Sequence, residues 1–169
     1  MSLYRSPYEA YPFLADQADD LRCDFEVLTD QISAATGLLA AWCPEYQQEL
    51  LRVDELVYHA NASLRTFCSL SEAEVLWLKE RIDQLAAGVN VKGFVLPAGS
   101  KRGCLAHVLR TLAKQLVRLL YRHAEQGHAV DDILFDFANL LSGYYFHLAL
   151  ALNQADGVAE IPFVSRNYK

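Results

Sequence analysis

The feature that most limits what this chain can fold into is a three-and-four spacing of apolar residues in every long segment. It is clearest after Gly103, where Leu105, Val108, Leu109, Leu112, Leu116 and Leu119 follow one another at helical intervals. Such spacing puts one apolar stripe on one face of a helix and directs it at a core. No segment of useful length alternates apolar and polar residues as a strand would. The spacing therefore predicts an all-α fold, a five-helix up-and-down bundle held together by these stripes.

In chain order, residues 1–13 are rich in Tyr and Pro and are expected to form an arm packed on the surface or on a neighbour. A first helix is predicted from Ala15 or Asp16 to Ala41, with Phe25, Leu28, Ile32, Ala35 and Leu39 inward and Thr29, Asp30 and Ser33 to one side. Cys43-Pro44 ends it. A second runs from about Glu45 to Thr66. Ser69 with Glu72, or Ser71 with Glu74, has the spacing of a capping box for a third that reaches about Ala87. After a loop and the Pro97–Gly99 turn, the fourth begins near Gly103. Gly127-His128 turns the chain into a fifth, from about Val130 to Asn153, and the tail from Gly157 to Lys169 reads as extended. The 169 residues make most simply one domain, residues 1–169, long enough to bury a proper core.

Arg110, Lys114, Arg118 and Arg122 recur every fourth residue of the fourth helix, so a row of cations climbs one of its faces. Like charges at that spacing repel by roughly 0.2–0.5 kcal/mol per pair. A row of this kind is often a solvated face, and Arg118 and Arg122 also suit the negative end of the helix dipole. If the fourth and fifth helices pair antiparallel, Arg118 and Arg122 face Asp136 and Asp132. Arg110 and Lys114 would face only Leu141, Tyr144 and Tyr145, which calls for an anion from outside the hairpin.

The rest of the composition excludes more than it assigns. A net charge of −6 argues against general nucleic-acid binding, which needs a basic surface. No apolar run of about 18 residues marks a membrane span, and the N-terminus lacks the apolar core of a signal peptide. Cys23, Cys43, Cys68 and Cys104 form no Cys-x-x-Cys, and Cys104-x-x-His107 alone is a weak metal pattern. Buried free thiols and a cytoplasmic location are the expectation.

Phe94-Val-Leu-Pro-Ala-Gly-Ser100, followed by Leu105-Ala-His-Val-Leu-Arg-Thr111, resembles the signature of the propanediol-utilisation-type ATP:cob(I)alamin adenosyltransferases. Their pattern reads roughly F-I/V-L-P-G-G-S, then L-H-x-A-R-T-x-x-R-R-A-E-R. Thr29-Asp-Gln-Ile-Ser33 with Gly37, Leu70-Ser-Glu72 through Ile82-Asp83, and Phe137-Ala-Asn-Leu-Leu-Ser142 are similar to further segments of that family, in order and with matching spacing. About 130 residues are covered.

The resemblance implies a homotrimer of five-helix bundles with small-molecule sites between subunits. It implies cobalamin and ATP with Mg2+ as ligands, and transfer of the 5′-deoxyadenosyl group of ATP to cob(I)alamin with release of triphosphate. Carried over position by position, Phe94 displaces the lower axial ligand of cobalamin. Asp30 and Arg110 form a salt bridge between subunits, and Lys114, Arg118 and Asn139 contact ATP. Phe94, Arg110 and Arg118 are the residues assigned to catalysis, and Ser142 is also retained.

The departures are specific as well. Lys114 stands where the family has Arg, which keeps the charge and loses the planar fork. Val117, Leu140, Gly143 and Gln31 replace Glu, Arg, Asp and Glu. Residues 1–20 contain no glycine and nothing like the family's T-x-T-G-D-x-G-x-T phosphate segment. Two readings therefore stand side by side: a divergent adenosyltransferase, or a relative that binds cobalamin or another small ligand without ATP chemistry, as carrier, sensor or assembly subunit.

Overall fold

The structure is a computed structural model and describes residues 3–168. The first two residues of the expected arm, and Lys169 at the end of the expected tail, lie outside the described residues. Five α-helices follow in order: α1 (Leu21–Trp42), α2 (Gln47–Asn61), α3 (Glu72–Ala87), α4 (Lys101–Glu125) and α5 (Asp132–Ala155), with a 3-10 turn at Pro44–Tyr46 between the first two. The all-α bundle read from the sequence is the fold observed.

α4 and α5 form the largest packed pair; α1 lies against α4, α2 against α1, and α3 against α5. The apolar stripes meet in one core that includes Phe25, Ile32, Leu39, Leu109, Leu116, Phe137 and Leu148, all fully buried. Each such side chain contributes roughly 1.5–3 kcal/mol, whereas an exposed ion pair contributes about 0–1, so the core sets the stability. Two buried tyrosines of α5 carry polar ties through it. The Tyr144 hydroxyl donates to Glu49 of α2 at 2.9 Å, and Tyr145 shares a 2.7 Å hydrogen bond with Thr36 of α1. Glu49 also pairs with Arg81 of α3 at 2.5 Å.

The helix limits differ from expectation at several ends. α1 starts at Leu21, not Ala15, because the Asp20 carboxylate accepts from the Arg22 amide and fixes the start there. α2 stops at Asn61, not Thr66; residues 62–66 turn, and Arg65 reaches back to Glu26 and Asp16. Of the two possible capping boxes, Ser71–Glu74 forms. α4 starts two residues early, at Lys101, because Ser100 accepts from the Gly103 amide. α5 is shifted to Asp132–Ala155 behind its cap Asp131. Val108, placed on the inward stripe, is 51% exposed.

Arg118 and Arg122 make no ion pair with Asp136 or Asp132 among the described residues. Of the four free cysteines only Cys43 is buried, the others being half-buried; burial pushes the Cys43 thiol up. The tail, read as simply extended, pairs with the segment before α4. The Leu96 amide donates to the Ile161 carbonyl, and the Phe163 amide to the Phe94 carbonyl, each at 2.9 Å, around a single antiparallel bridge between Val95 and Pro162.

Candidate functional site

The cation row is real, and its charges find no carboxylate partner among the described residues of the chain. Lys114, Arg118 and Arg122 of α4 line a groove against α1, together with Asp24, Leu28, Gln115 and Leu119. Its volume is about 460 Å³. Three cations beside one carboxylate make this groove suited to a polyanion.

Arg110 stands one turn earlier and is half-buried. Its Nε is buried without a hydrogen-bond partner, while its carbonyl accepts from the Ser142 hydroxyl at 3.4 Å. Next to it His107 is only 3% exposed, and neither ring nitrogen has a partner. Burial, and then the Arg110 charge, hold the imidazole below its ordinary pKa and hence neutral. An unpaired buried donor costs about 1–3 kcal/mol, and this face of α4 carries such unpaired groups at Arg110 and His107.

Asp30 projects elsewhere. It is exposed and accepts a hydrogen bond from the Tyr58 hydroxyl at 3.0 Å, beside a cavity of about 380 Å³ lined by Tyr11, Glu26, Asp30, Tyr58 and Asn61, among others. Asp30 and Arg110 do not meet within the chain. Asn139 lies in a third place, the α3–α5 groove with Glu72, Lys79 and Asp136; its amide donates to the Phe135 carbonyl at 2.9 Å. One chain thus brings Lys114 and Arg118 together and leaves Asp30, Asn139 and Phe94 on separate surfaces.

Phe94 follows Gly93, whose φ of +81° lies in the left-handed region that favours glycine, and its side chain is 73% exposed. It is not a core aromatic. With Leu96, Ile161 and Phe163, each also exposed, it makes an apolar ledge at the end of the bundle.

Two positions that sequence reasoning did not single out support this end. Arg102 grips Asp156 through two nitrogens, at 2.6 and 3.1 Å, and Glu45 at 2.5 Å. It thereby fastens the start of α4 to the end of α5 and to the α1–α2 junction. Asn153, fully buried, bonds both sides of the Pro97–Ser100 turn and also Glu160. Gly99 and Gly103, four apart around a turn, were the only sequence signal for it.

The N-terminal segment forms turns rather than a glycine loop. Phe13 stacks under the Arg65 guanidinium, 3.5 Å from ring centroid to Cζ, and Arg65 is held by Glu26 and Asp16. Burial, and then a hydrogen bond to Glu26, push the Tyr11 hydroxyl up to about 12.

The fold is thus a helical bundle with a cationic row on α4 that has no ion-pair partner among the described residues, and an exposed phenylalanine on the turn before that helix. Comparison narrows this. A sequence profile described as cobalamin adenosyltransferase matches residues 17–152, and the chain belongs to that family. A corrinoid adenosyltransferase of Bacillus subtilis (strain 168) is 26% identical over 157 residues, covering 86% of this chain and 81% of its own.

Among solved structures, a phenylalanine-to-alanine variant of the PduO-type ATP:corrinoid adenosyltransferase from Lactobacillus reuteri, complexed with cobalamin and ATP, superposes with TM-score 0.79 at 21% identity. It covers 86% of this chain and 87% of that one. A phenylalanine-to-histidine variant of the same enzyme, also with cobalamin and ATP, gives TM-score 0.80 at 21% identity, covering 95% and 98%. These likenesses establish the fold. No helix of the described residues is long and apolar enough to cross a membrane.

Proposed function

We propose that this protein is an ATP:cob(I)alamin adenosyltransferase that acts as a cytoplasmic homotrimer, with sites assembled between subunits. The observation that carries the reading is the mismatch within one chain. Arg110 has an unpartnered buried nitrogen on α4, while Asp30 stands open on the far side of α1. A second copy that brings its Asp30 to the Arg110 guanidinium would give that cation the carboxylate its own chain does not supply.

The fit of the residues to the ligands can be judged group by group. Lys114, Arg118 and Arg122 suit a triphosphate, and Asn139 of the separate α3–α5 groove can donate or accept at the nucleoside where a second subunit brings it. The exposed Phe94 ledge suits the flat apolar face of a corrin, and solved family structures hold cobalamin and ATP. Among the described residues no group of three or more His, Cys, Asp or Glu is placed to hold a metal ion, so Mg2+ is proposed to enter on the phosphates.

In the reaction, the cobalt(I) electron pair of the cobalamin substrate forms the bond to C5′ of ATP as the C5′–O bond breaks, and triphosphate leaves with the electron pair of that C5′–O bond. The cations of α4 act where charge gathers on the leaving group, and being fixed beforehand they need no reorganisation. Phe94 fills the space of the lower axial ligand and excludes water there. His107, neutral and buried, adds no positive charge next to Arg110.

A second reading rests on one observation: the turns of residues 11–20 are fastened to Arg65 and offer no glycine-rich phosphate loop. It is a cobalamin-binding relative without ATP chemistry. Calorimetric titration with ATP and cobalamin, separately and together, combined with an assay for adenosylcobalamin and triphosphate, separates the two. Triphosphate released in step with adenosylcobalamin establishes the transferase; cobalamin binding with no turnover establishes the relative.

A further inference from the structure

Phe94 is 73% exposed, so no core packing fixes where its ring stands; its position depends on how its backbone is held. That backbone is held from two sides. On one side the tail pairs with it, through Phe163 N to Phe94 O and Leu96 N to Ile161 O. On the other the turn Pro97–Ser100 leads directly into α4. Both lead to one side chain. The Asn153 Oδ1 accepts from the Ser100 amide at 2.9 Å, and its Nδ2 donates to the Ala98 carbonyl at 3.0 Å and to Glu160 Oε1 at 2.8 Å. Its own carbonyl accepts from the Val158 amide at 2.9 Å, starting the tail on its course back to Phe94.

The surroundings are shaped to admit this amide. A Cβ on Gly99 would fall 2.2 Å from Asn153 Oδ1, and one on Gly103 2.1 Å from the same atom, so either would force the amide out of this position. Gly99 also has φ +134°. Asn153 is fully buried, in a position that an apolar residue would fill if packing alone were needed. A buried amide with both donors and its acceptor engaged specifies one geometry.

We infer that Asn153 is the positioning residue of the Phe94 turn, working through Glu160 and the residue 158–163 strap, so that the end of α5 and the tail set where the aromatic ring meets the corrin. The inference rests on the reading of Phe94 as the cobalamin-facing residue.

The test uses Asn153→Ala and the milder Glu160→Ala, with Leu148→Ala as a control that loosens the α5 core without touching the turn. The first measurement is hydrogen exchange without ligand: the Leu96 and Phe163 amides should exchange at least about tenfold faster in both variants, with α1 and α4 protected as in wild type. The second is the cobalt(II) resonance spectrum of added cobalamin in the presence of ATP. The ratio of four- to five-coordinate cobalt should fall about tenfold in both variants and stay at the wild-type value in Leu148→Ala. Variants that match wild type in both measurements overturn the inference, as does an equal fall of the ratio in the control. Wild-type protein that leaves the cobalt spectrum unchanged sinks the cobalamin reading instead, and the positioning role then stands or falls on the exchange of those two amides.

Discussion

Arg65 and Glu26 form a nearly buried two-point ion pair, Nε to Oε1 at 2.6 Å and Nη2 to Oε2 at 2.9 Å, with side-chain exposures of 15% and 5%. The same guanidinium holds Asp16 at 3.0 Å and covers the Phe13 ring. It is the point at which the chain before α1 is tied to the end of α2.

Removing Arg65 leaves the Glu26 carboxylate buried without its cation, which costs about 3–5 kcal/mol. Arg65→Ala should therefore lower the free energy of urea unfolding by that amount and release the Phe13 segment to proteolysis. Arg65→Lys keeps the charge, loses the fork and should lie in between. A loss below about 1 kcal/mol, the ordinary worth of an exposed pair, would mean that water already solvates this carboxylate.

The open Asp30 and the unpartnered Arg110 bear on assembly. Light scattering should find wild-type protein as a trimer and Asp30→Ala shifted towards smaller species. Asp30 is exposed within its own chain and, among the described residues, its side chain bonds only Tyr58, so the fold of each subunit should survive with its helical content intact. A monomeric wild type would remove the ground for a site between subunits.

The periodicity of apolar residues was enough to read five helices, since each helix buries one stripe and the stripes must meet. Their ends were less legible. The start of α1 depends on Asp20, and no earlier residue, turning to cap the Arg22 amide, and the end of α2 on Arg65 reaching 39 residues back to Glu26, a contact that no local window contains. Arg110 stood out in sequence because its hairpin partners are uncharged, and the structure leaves its Nε unpartnered accordingly. The salt bridges expected for Arg118 and Arg122 failed because helical spacing fixes which residues share a level, not which way long side chains project. Asn153 was invisible for the same reason as Arg65: its partners at the turn lie 53 and 55 residues away.

Nucleotide affinity should be weak and improvable. The residue types at 31, 114, 117, 140 and 143 depart from the family pattern, and each charged hydrogen bond contributes about 1.5–3 kcal/mol. Losing several moves a micromolar site to the millimolar range. Lys114 already lines the cationic groove, so Lys114→Arg restores a planar fork where charge alone is present. Magnesium-ATP titrated by calorimetry should bind that variant about tenfold more tightly, the equivalent of ~1.4 kcal/mol. Low-micromolar binding by wild type would instead mean that the segment before α1, where Arg5 and Ser6 are available donors, replaces the missing loop.

The exposure of Phe94 makes its replacement a clean experiment. A buried phenylalanine cut to alanine costs ~3–5 kcal/mol, which would blur any effect on ligand. At 73% exposure, Phe94→Ala should change stability by no more than about 0.5 kcal/mol, and Phe163 N to Phe94 O, a backbone bond, remains available. The ring itself is what the substitution removes. An aromatic ring beneath the corrin occupies the place of the lower ligand and keeps water from it, which disfavours five-coordinate cobalt. Phe94→Ala should bind cobalt(II) cobalamin, stay folded at the wild-type midpoint and leave the metal five-coordinate, where wild type with ATP yields the four-coordinate spectrum. Electron paramagnetic resonance separates the two forms directly. A variant that gives the wild-type four-coordinate signal would remove Phe94 from the mechanism, and an unfolding free energy lowered by several kcal/mol would mean that the ring carries packing its 73% exposure does not show.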